Sequence, residues 1–553
     1  MSADDTQKGP DLSRAQAAHA GHGLRRVPHI ALFFLFWAVL AVLLLMRITE
    51  RPLFSEEIPA AQAMAQSPKA AIEASARDGR LPLFYWLCSW AGLAQRRFGL
   101  PAISPRLLSA FFAWLAFLPA YRLMRSASHL NVYGHLFCAL FVASPFWIEM
   151  GRIACPYSLL GLLALVSTSF LFSLFKAPRF PLWLGYLIAA ALTLYADWMA
   201  VAVFVAHGLT APMAASVRSD RFGWRHAFGL AVAWLVAAAA FAPWLLLGAG
   251  RLVEAPWLLM GRYAPLDMLQ YAGFSAGYTL YMFLFGDSMA PWNALRAALL
   301  SLPALVAACY GVERAFRSHN RPLRRALAFG VIGFAVSVAV LSVLSIRPHP
   351  FFVPPRLAFL FPFGCVALAY GFGAMNKVVS FPLVAVLLAS NSWSLINGSL
   401  QREYTNWAYV TPINQILGAI AWRSAPDSLL IIDTYNLKQV DYYYRGDLPR
   451  LRLQEDLDSA EDFAERFKPY QRALFVHGRR DRSADQRIDR VNQSLEEQFQ
   501  RRETQVLLAE DPAVSEIKGY LCGAPVDPAK IVLDVYEREK DGRLNVEYTS
   551  RHK

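Results

Sequence analysis

Apolar runs of about twenty residues, each long enough to cross a bilayer as a helix, recur along the chain and are separated by short, arginine-rich breaks. Read against their flanks, these runs predict about eleven helical spans. They fall near 29–47, 105–124, 131–150, 157–175, 182–198, 199–216, 226–248, 293–312, 326–345, 356–375 and 380–397. The segment 265–286 is apolar enough to span, but Asp267, Gly273 and Gly277 weaken it. Counting it as a span would invert every later loop, so it is expected to be an interfacial or re-entrant element. Between the first and second spans lies a long loop, 48–104, with an aromatic stretch, Leu83-Phe84-Tyr85-Trp86, expected as a helix at the membrane surface.

From about Gln401 the pattern changes. Four short apolar runs, Leu429–Ile432, Ala473–Val476, Thr504–Leu508 and Lys530–Val535, alternate with helical segments, notably the amphipathic 484–502. That alternation predicts a small α/β domain. It carries no GxGxxG and no P-loop, so nucleotide binding has no support there, and a structural or acceptor-docking role is expected. The expected fold class is therefore a polytopic α-helical membrane protein with a small C-terminal α/β domain. Its parts are a cytoplasmic tail, 1–28, a transmembrane domain, 29–400, and a soluble domain, 401–553.

Charge adds orientation. Alternate loops collect Arg122 and Arg125, Lys176 and Arg179, Arg218, Arg221 and Arg225, a run from Arg314 to Arg325, and Lys377. The opposite loops hold fewer cations, among them Arg152, Arg251, Arg262, Arg347 and Arg356. Cations accumulate on the cytoplasmic side, so the N-terminus is expected inside, and an odd number of spans puts the C-terminus outside. The net charge of +13 thus reports sidedness. No basic stretch interleaves with stacking aromatics, so nucleic acid is not an expected partner. Composition agrees with a membrane chain: 56% hydrophobic and 17% charged residues, with mean hydropathy +0.31. The six cysteines form no CxxC, and no HExxH occurs, so neither a disulfide framework nor a zinc site is indicated. The first span lacks a small-residue cleavage site and reads as a retained helix.

Candidate chemistry lies on the outer side. Ser55-Glu56-Glu57 follows the first span. Ser55 suits a helix N-cap, and acidic residues suit a first helical turn. One of the two carboxylates could equally face a cavity and act as a general base; adjacent helical positions point about 100° apart, so only one would. Asp78 sits in a turn-forming run with Gly79 and Arg80, where it is a solvated turn residue or a site residue. Arg152 follows Glu149 by three positions, and either that carboxylate or a bound anion would satisfy it. Asp197 ends a span on the same face. The segment Arg347-Pro348-His349-Pro350 through Arg356 is rigid, cationic and aromatic, and arginine suits a phosphate.

In this order, the motifs resemble bacterial membrane glycosyltransferases of the GT-C superfamily, in the branch of protein O-mannosyltransferases and the lipopolysaccharide galacturonosyl- and aminoarabinose transferases. The family's first-loop "DE" is matched by Glu56-Glu57, and "DGHPPLYY" by Asp78-Gly79-Arg80-Leu81-Pro82-Leu83-Phe84-Tyr85. "RLPSALFG" is matched by Arg106 to Phe112, and "SPF…R.ARPYALL" by Ser144-Pro145-Phe146, Arg152, Ala154, Pro156 and Tyr157. Pro355 to Pro362 is similar to the late "PRYLLFLLP". The chain departs from the pattern at Glu56, where the family has aspartate, at Arg80, where it has histidine, and at Cys155, where it has arginine.

The resemblance implies transfer of a sugar from a polyprenyl-phosphate donor to an acceptor hydroxyl at the outer face of a bacterial inner membrane. A glycolipid, lipopolysaccharide or protein would be the acceptor. Glu56, Glu57 and Asp78 are the implied catalytic carboxylates, and Arg152, Arg347 and Arg356 the donor-phosphate ligands. Arg80, Tyr85, Tyr157, Asp197 and His349 are the implied substrate contacts. No cofactor is required, although a divalent metal occurs in some relatives. The rival reading is a transporter or flippase of a lipid-linked sugar; the absence of an internal repeat and the gathering of ionisable groups at one surface favour an enzyme.

Overall fold

A computed structural model describes residues 12–99, 104–127, 131–215, 224–254, 265–289, 294–318, 320–344, 354–400, 411–453, 466–479, 482–509 and 530–538. The first helix, α1 (Leu12–Leu45), starts well before the expected span. Alanines at 15, 17, 18 and 20 supply the helix propensity that carries it back through the polar segment expected as a tail. The loop after it folds into three helices, α2 (Ile58–Ala65), α3 (Pro68–Arg77) and α4 (Pro82–Phe98), of which α4 is the expected aromatic surface helix. Each begins with proline in its first turn, where no amide donor is lost.

The bundle continues with α5 (Arg106–Ala127), α6 (Asn131–Val142), α7 (Pro145–Arg152), α8 (Tyr157–Leu174), α9 (Phe180–Ala196), α10 (Ala200–Ala215) and α11 (Trp224–Glu254). Then come α12 (Pro265–Phe285), α13 (Ala294–Arg317), α14 (Arg321–Leu344), α15 (Phe361–Ala374) and α16 (Lys377–Leu400). Helices cover the expected spans, except that 131–150 is divided between α6 and α7 and 356–375 between a 3-10 turn, Pro354–Leu360, and α15. Seven of these are long and apolar enough to cross a membrane among the described residues. The segment expected to be interfacial or re-entrant is one continuous helix, α12.

The expected span 131–150 is broken: α6 and α7 meet at 51°. Pro145 has no amide to give α6 and holds Ser144 in an extended conformation. The Ser144 hydroxyl then caps the new helix by accepting from the Trp147 amide at 3.2 Å. Trp147 anchors the bend in the core, donating from Nε1 to the Ala113 carbonyl at 3.2 Å and stacking on Phe361 at 5.8 Å. Deeper in the bundle His207 is buried between the Tyr186 and Thr168 hydroxyls, at 3.1 and 3.0 Å, tying α8, α9 and α10 together.

One interaction fixes the first loop on this bundle. Glu57 and Arg106 are 0% and 3% exposed. Arg106 donates from Nε to Glu57 Oε1 at 2.7 Å and from Nη2 to Oε2 at 2.5 Å. Its remaining N–H groups reach the carbonyls of Ile48, Arg51 and Pro52 at 3.1, 2.9 and 2.8 Å. All five guanidinium donors are therefore used. Glu57 also accepts from the amides of Phe54 and Ala154, both at 2.8 Å, so its carboxylate joins α1's exit, α5 and the α7–α8 junction. At the far side of the loop, Gly92 lets α4 press on α2: a Cβ there would lie 2.0 Å from the Met64 carbonyl oxygen.

The C-terminal domain, expected from the sequence to be soluble, contains α17 (Ile413–Arg423), β1 (Ser428–Ile432), α18 (Thr434–Tyr443), β2 (Arg450–Arg452), β3 (Arg472–Arg479), α19 (Arg482–Glu496), β4 (Gln500–Ala509) and β5 (Lys530–Glu537). The sheet order is β2-β1-β3-β5-β4, with β1 parallel to both β2 and β3 and the last two pairings antiparallel. All four expected strands are present. The short edge strand β2, with only Leu451 buried, gave no apolar run to read, and the expected helix 484–502 gives way to β4 at Gln500. Inside the sheet Asp534 Oδ2 lies 2.9 Å from His477 Nε2, and Thr504 donates to Oδ1 at 2.5 Å.

Breaking a buried ion pair from one side costs about 3–5 kcal/mol. Glu57→Gln is accordingly expected to lower the melting temperature of the detergent-solubilised protein sharply, with partial recovery in Glu57→Gln/Arg106→Met. An unchanged melting temperature in the single variant would rule the clamp out as a stabilising element. Burial would raise the Asp534 pKa, but the bonds from His477 and Thr504 outweigh it and hold the carboxyl below its usual value. A depressed folded-state pKa contributes stability that is complete above about pH 4 and is lost as pH falls through the folded-state value. Asp534→Asn is expected to speed hydrogen exchange in β5 at neutral pH by an amount worth about 1–3 kcal/mol, with the gap to wild type closing in acid.

Candidate functional site at the first loop

The turn that precedes α2 separates its two glutamates. Glu57, the N-cap residue, is turned inward and saturated by Arg106 and two amides, so its four acceptor positions are filled. Glu56 is exposed, and its backbone carbonyl takes the Cys155 thiol at 3.7 Å. Ser55 is not the cap expected from the sequence. α2 begins one residue beyond Glu57 with no side-chain cap, and the Ser55 hydroxyl instead donates to Gln439 Oε1 on α18 of the soluble domain. Beside it the Leu53 amide donates to the Tyr443 hydroxyl at 2.7 Å.

Around Glu56 the chain assembles several of the expected residues. Tyr157, at the start of α8, is buried within electrostatic reach of Glu56, Arg356 and Asp197. Asp197 closes α9, takes the Met199 amide at 2.8 Å, and feels Arg356 as its main opposite charge. Arg356 enters from the 3-10 turn Pro354–Leu360. Cys155, the position where the GT-C pattern has arginine, is a buried thiol. Burial pushes its pKa well up, and the Glu56 and Glu57 carboxylates add to the rise, so it stays neutral. No cation replaces the missing arginine from that position.

Arg80 approaches the same group from the turn between α3 and α4. Gly79 there adopts φ +65°, and the Arg80 amide closes the turn on the Ser75 carbonyl at 2.9 Å. Its guanidinium donates to the Tyr85 hydroxyl at 3.1 Å. Burial would lower the Arg80 pKa, but Tyr85 and Asp78 raise it overall, and burial pushes the Tyr85 phenol up to about 12. Arg80 is thus a fixed cation and Tyr85 a neutral hydroxyl. Asp78 is exposed and lies 3.5 Å from Arg80.

Arg152 is placed elsewhere. It lines a cavity of about 310 Å³ with Arg47, Arg51, Arg106 and Glu149, and its Nη2 donates to the Leu43 carbonyl of α1. Glu149, the partner considered from sequence, accepts from the Asp287 amide at 2.7 Å and from Ser288. Arg106, which holds Glu57, is part of the lining of this cavity. Arg347 and His349 lie outside the described residues. Among the described residues no group of three His, Cys, Asp or Glu side chains is placed to hold a metal ion.

Sequence reasoning missed Arg106 as the partner of Glu57, and Gln439 and Tyr443 as neighbours of the Glu56 turn. The first had a signal, an arginine opening a membrane span, where a charge needs a partner. The other two had none, since the contacts join positions 384 and 390 residues apart.

No family model matches the sequence, and no curated protein matches it. Solved structures do. The chain superposes on ArnT from Cupriavidus metallidurans in the apo state with a TM-score of 0.52 at 14% identity, covering 80% of this chain and 92% of that one. Against the same protein bound to undecaprenyl phosphate the TM-score is 0.52 at 13% identity, over 91% and 97% of the two chains. Over most of both chains, then, this protein shares the fold of ArnT from Cupriavidus metallidurans.

Proposed function

We propose that the chain is a membrane glycosyltransferase that moves a sugar from a polyprenyl-phosphate donor to an acceptor hydroxyl on a glycolipid, lipopolysaccharide or protein. The observation that carries this reading is the gathering of Glu56, Tyr157, Asp197, Arg356 and Arg80 at one end of an ArnT-like bundle. The undecaprenyl phosphate held by ArnT supports a lipid-phosphate donor. The cation bias of the loops supports a site on the periplasmic side of a bacterial inner membrane.

The chemistry asks little beyond a base and a phosphate clamp. The acceptor oxygen forms its bond to the anomeric carbon as the carbon–oxygen bond to the lipid phosphate breaks. The leaving electron pair goes to the phosphate, and the acceptor proton goes to a carboxylate. Glu56 is that base, because Glu57 has no acceptor position left and Asp78 is held off by Arg80. Arg356, with its fixed charge, takes the phosphate as charge builds on it. Asp197 orients Arg356, and Arg80 with Tyr85 closes the cluster on the loop side. Arg152 serves an anionic group of whichever substrate enters the neighbouring cavity.

Glu56→Gln keeps the shape of the turn and removes the base. In a null strain, wild type is expected to restore a single-sugar mass to envelope glycans or glycolipids, and Glu56→Gln at equal expression to leave it missing. Full restoration by Glu56→Gln would move the base elsewhere, and a null strain that loses no sugar would count against transfer and in favour of transport. Arg356→Ala is expected to raise the donor concentration for half-maximal rate about tenfold or more, as loss of a charge-assisted contact predicts. An unchanged half-saturation in membranes of known donor content would remove Arg356 from the phosphate site.

A further inference from the structure

We propose that Gln439 and Tyr443, in the soluble domain, are positioning residues that hold the Glu56 turn in its working geometry. The inference rests on the reading of Glu56 as the base, and it gives the soluble domain a part in the site instead of an appended role.

The turn is pinned residue by residue from two sides. From the membrane bundle, Arg106 holds the Pro52 carbonyl at 2.8 Å, its guanidinium lies 5.2 Å from the centre of the Phe54 ring, Glu57 holds the Phe54 amide at 2.8 Å, and Cys155 meets the Glu56 carbonyl. From the soluble domain, Tyr443 takes the Leu53 amide at 2.7 Å and Gln439 takes the Ser55 hydroxyl. Positions 439 and 443 are one helical turn apart and so share one face of α18. That face meets the loop carrying the candidate base, with Gln439 only 3% exposed.

The support behind α18 is rigid. It follows β1 directly through Asp433, whose amide donates to the Val476 carbonyl of β3 at 3.0 Å and whose side chain accepts from the Gly478 amide at 3.4 Å. Leu437, between these points and Gln439, is fully buried in the sheet's core and bends the helix, at φ −126° and ψ 38°. The position of the two hydrogen-bonding groups is therefore set by the sheet. A base held within a few tenths of an ångström of its proton is where such second supports matter for rate.

The test uses the full chain in lipid nanodiscs and leaves Glu56 untouched. The variants are Tyr443→Phe, which removes only a hydroxyl, Gln439→Met, Ser55→Ala and the Gln439→Met/Ser55→Ala pair. Hydrogen exchange at residues 53–58 is expected to rise roughly tenfold in Tyr443→Phe, as loss of one protecting bond predicts, with exchange in α5 and β3 unchanged. Sugar transfer measured with donor-loaded membranes is expected to lose turnover several-fold at an unchanged half-saturating donor concentration. Gln439→Met and Ser55→Ala remove the same bond, so their losses should not add. Unchanged exchange in the turn would overturn the proposal whatever happens to activity. Faster exchange with full turnover would overturn it too, by showing that the contact holds the turn without serving transfer. A wild-type protein that transfers no sugar would instead sink the glycosyltransferase reading, and the exchange result would still report on the contact.

Discussion

The Glu57–Arg106 pair is the constraint on which the rest of the site depends. Two charges taken out of water are stable together only when every donor and acceptor is met, and here each is. Arg106 opens α5 and Glu57 caps α2, so their meeting decides where the first loop leaves α1 and where it lands. Because the same guanidinium holds the carbonyls of Ile48, Arg51 and Pro52, the chain between the span and the turn has no freedom to shift. The Ala154 amide extends the constraint to the α7–α8 junction, which carries Cys155 and Tyr157. With Glu57 fixed inward, its neighbour Glu56 is left on the exposed side, in reach of Tyr157 and Cys155. One pair thus sets both the fold of the loop and the identity of the available carboxylate.

The break between α6 and α7 works with this clamp. A straight span through 131–150 would carry Glu149 and Arg152 along one continuous axis. Pro145 ends that axis, and α7 leaves α6 at 51°. Arg152 then reaches α1 at Leu43 instead of the Glu56 cluster, and Glu149 turns to Asp287 and Ser288 beyond α12. Two polar regions result: one around the exposed Glu56 carboxylate, the other a cavity lined by Arg47, Arg51, Arg106 and Arg152.

What could be read in the sequence follows from how local each signal is. The spans were legible because an apolar stretch declares itself without reference to the rest of the chain. Strands β1, β3, β4 and β5 were legible for the same reason, and β2, three residues with two arginines, was not. The bend at Pro145 carried a local signal, Ser144-Pro145, but the apolar run across it was stronger to the eye. Glu56 and Glu57 could not be told apart, since what separates them is Arg106, forty-nine positions away. Three-residue spacing pointed Arg152 and Glu149 at each other, but the Leu43 carbonyl and the Asp287 amide that they bond come from distant parts of the chain. The α18 contacts were out of reach entirely, since a glutamine and a tyrosine in a soluble helix carry no mark of what they touch.

The two sets of pins on the turn differ in kind, and the difference has a consequence. Those from the bundle are charged and buried, so losing one leaves an unpaired charge and threatens the fold. Those from the soluble domain are neutral hydrogen bonds, each worth about 0.5–1.5 kcal/mol net. A contact of that size can be made and broken within the life of the folded protein, at a cost comparable with thermal energy multiplied a few times. The bundle therefore decides where the turn is, and the soluble domain decides how firmly Glu56 is held there. Anything that shifts the sheet behind α18 would act on the turn through Gln439 and Tyr443 without disturbing the Glu57–Arg106 pair, which places the adjustable part of the turn's support in the C-terminal domain.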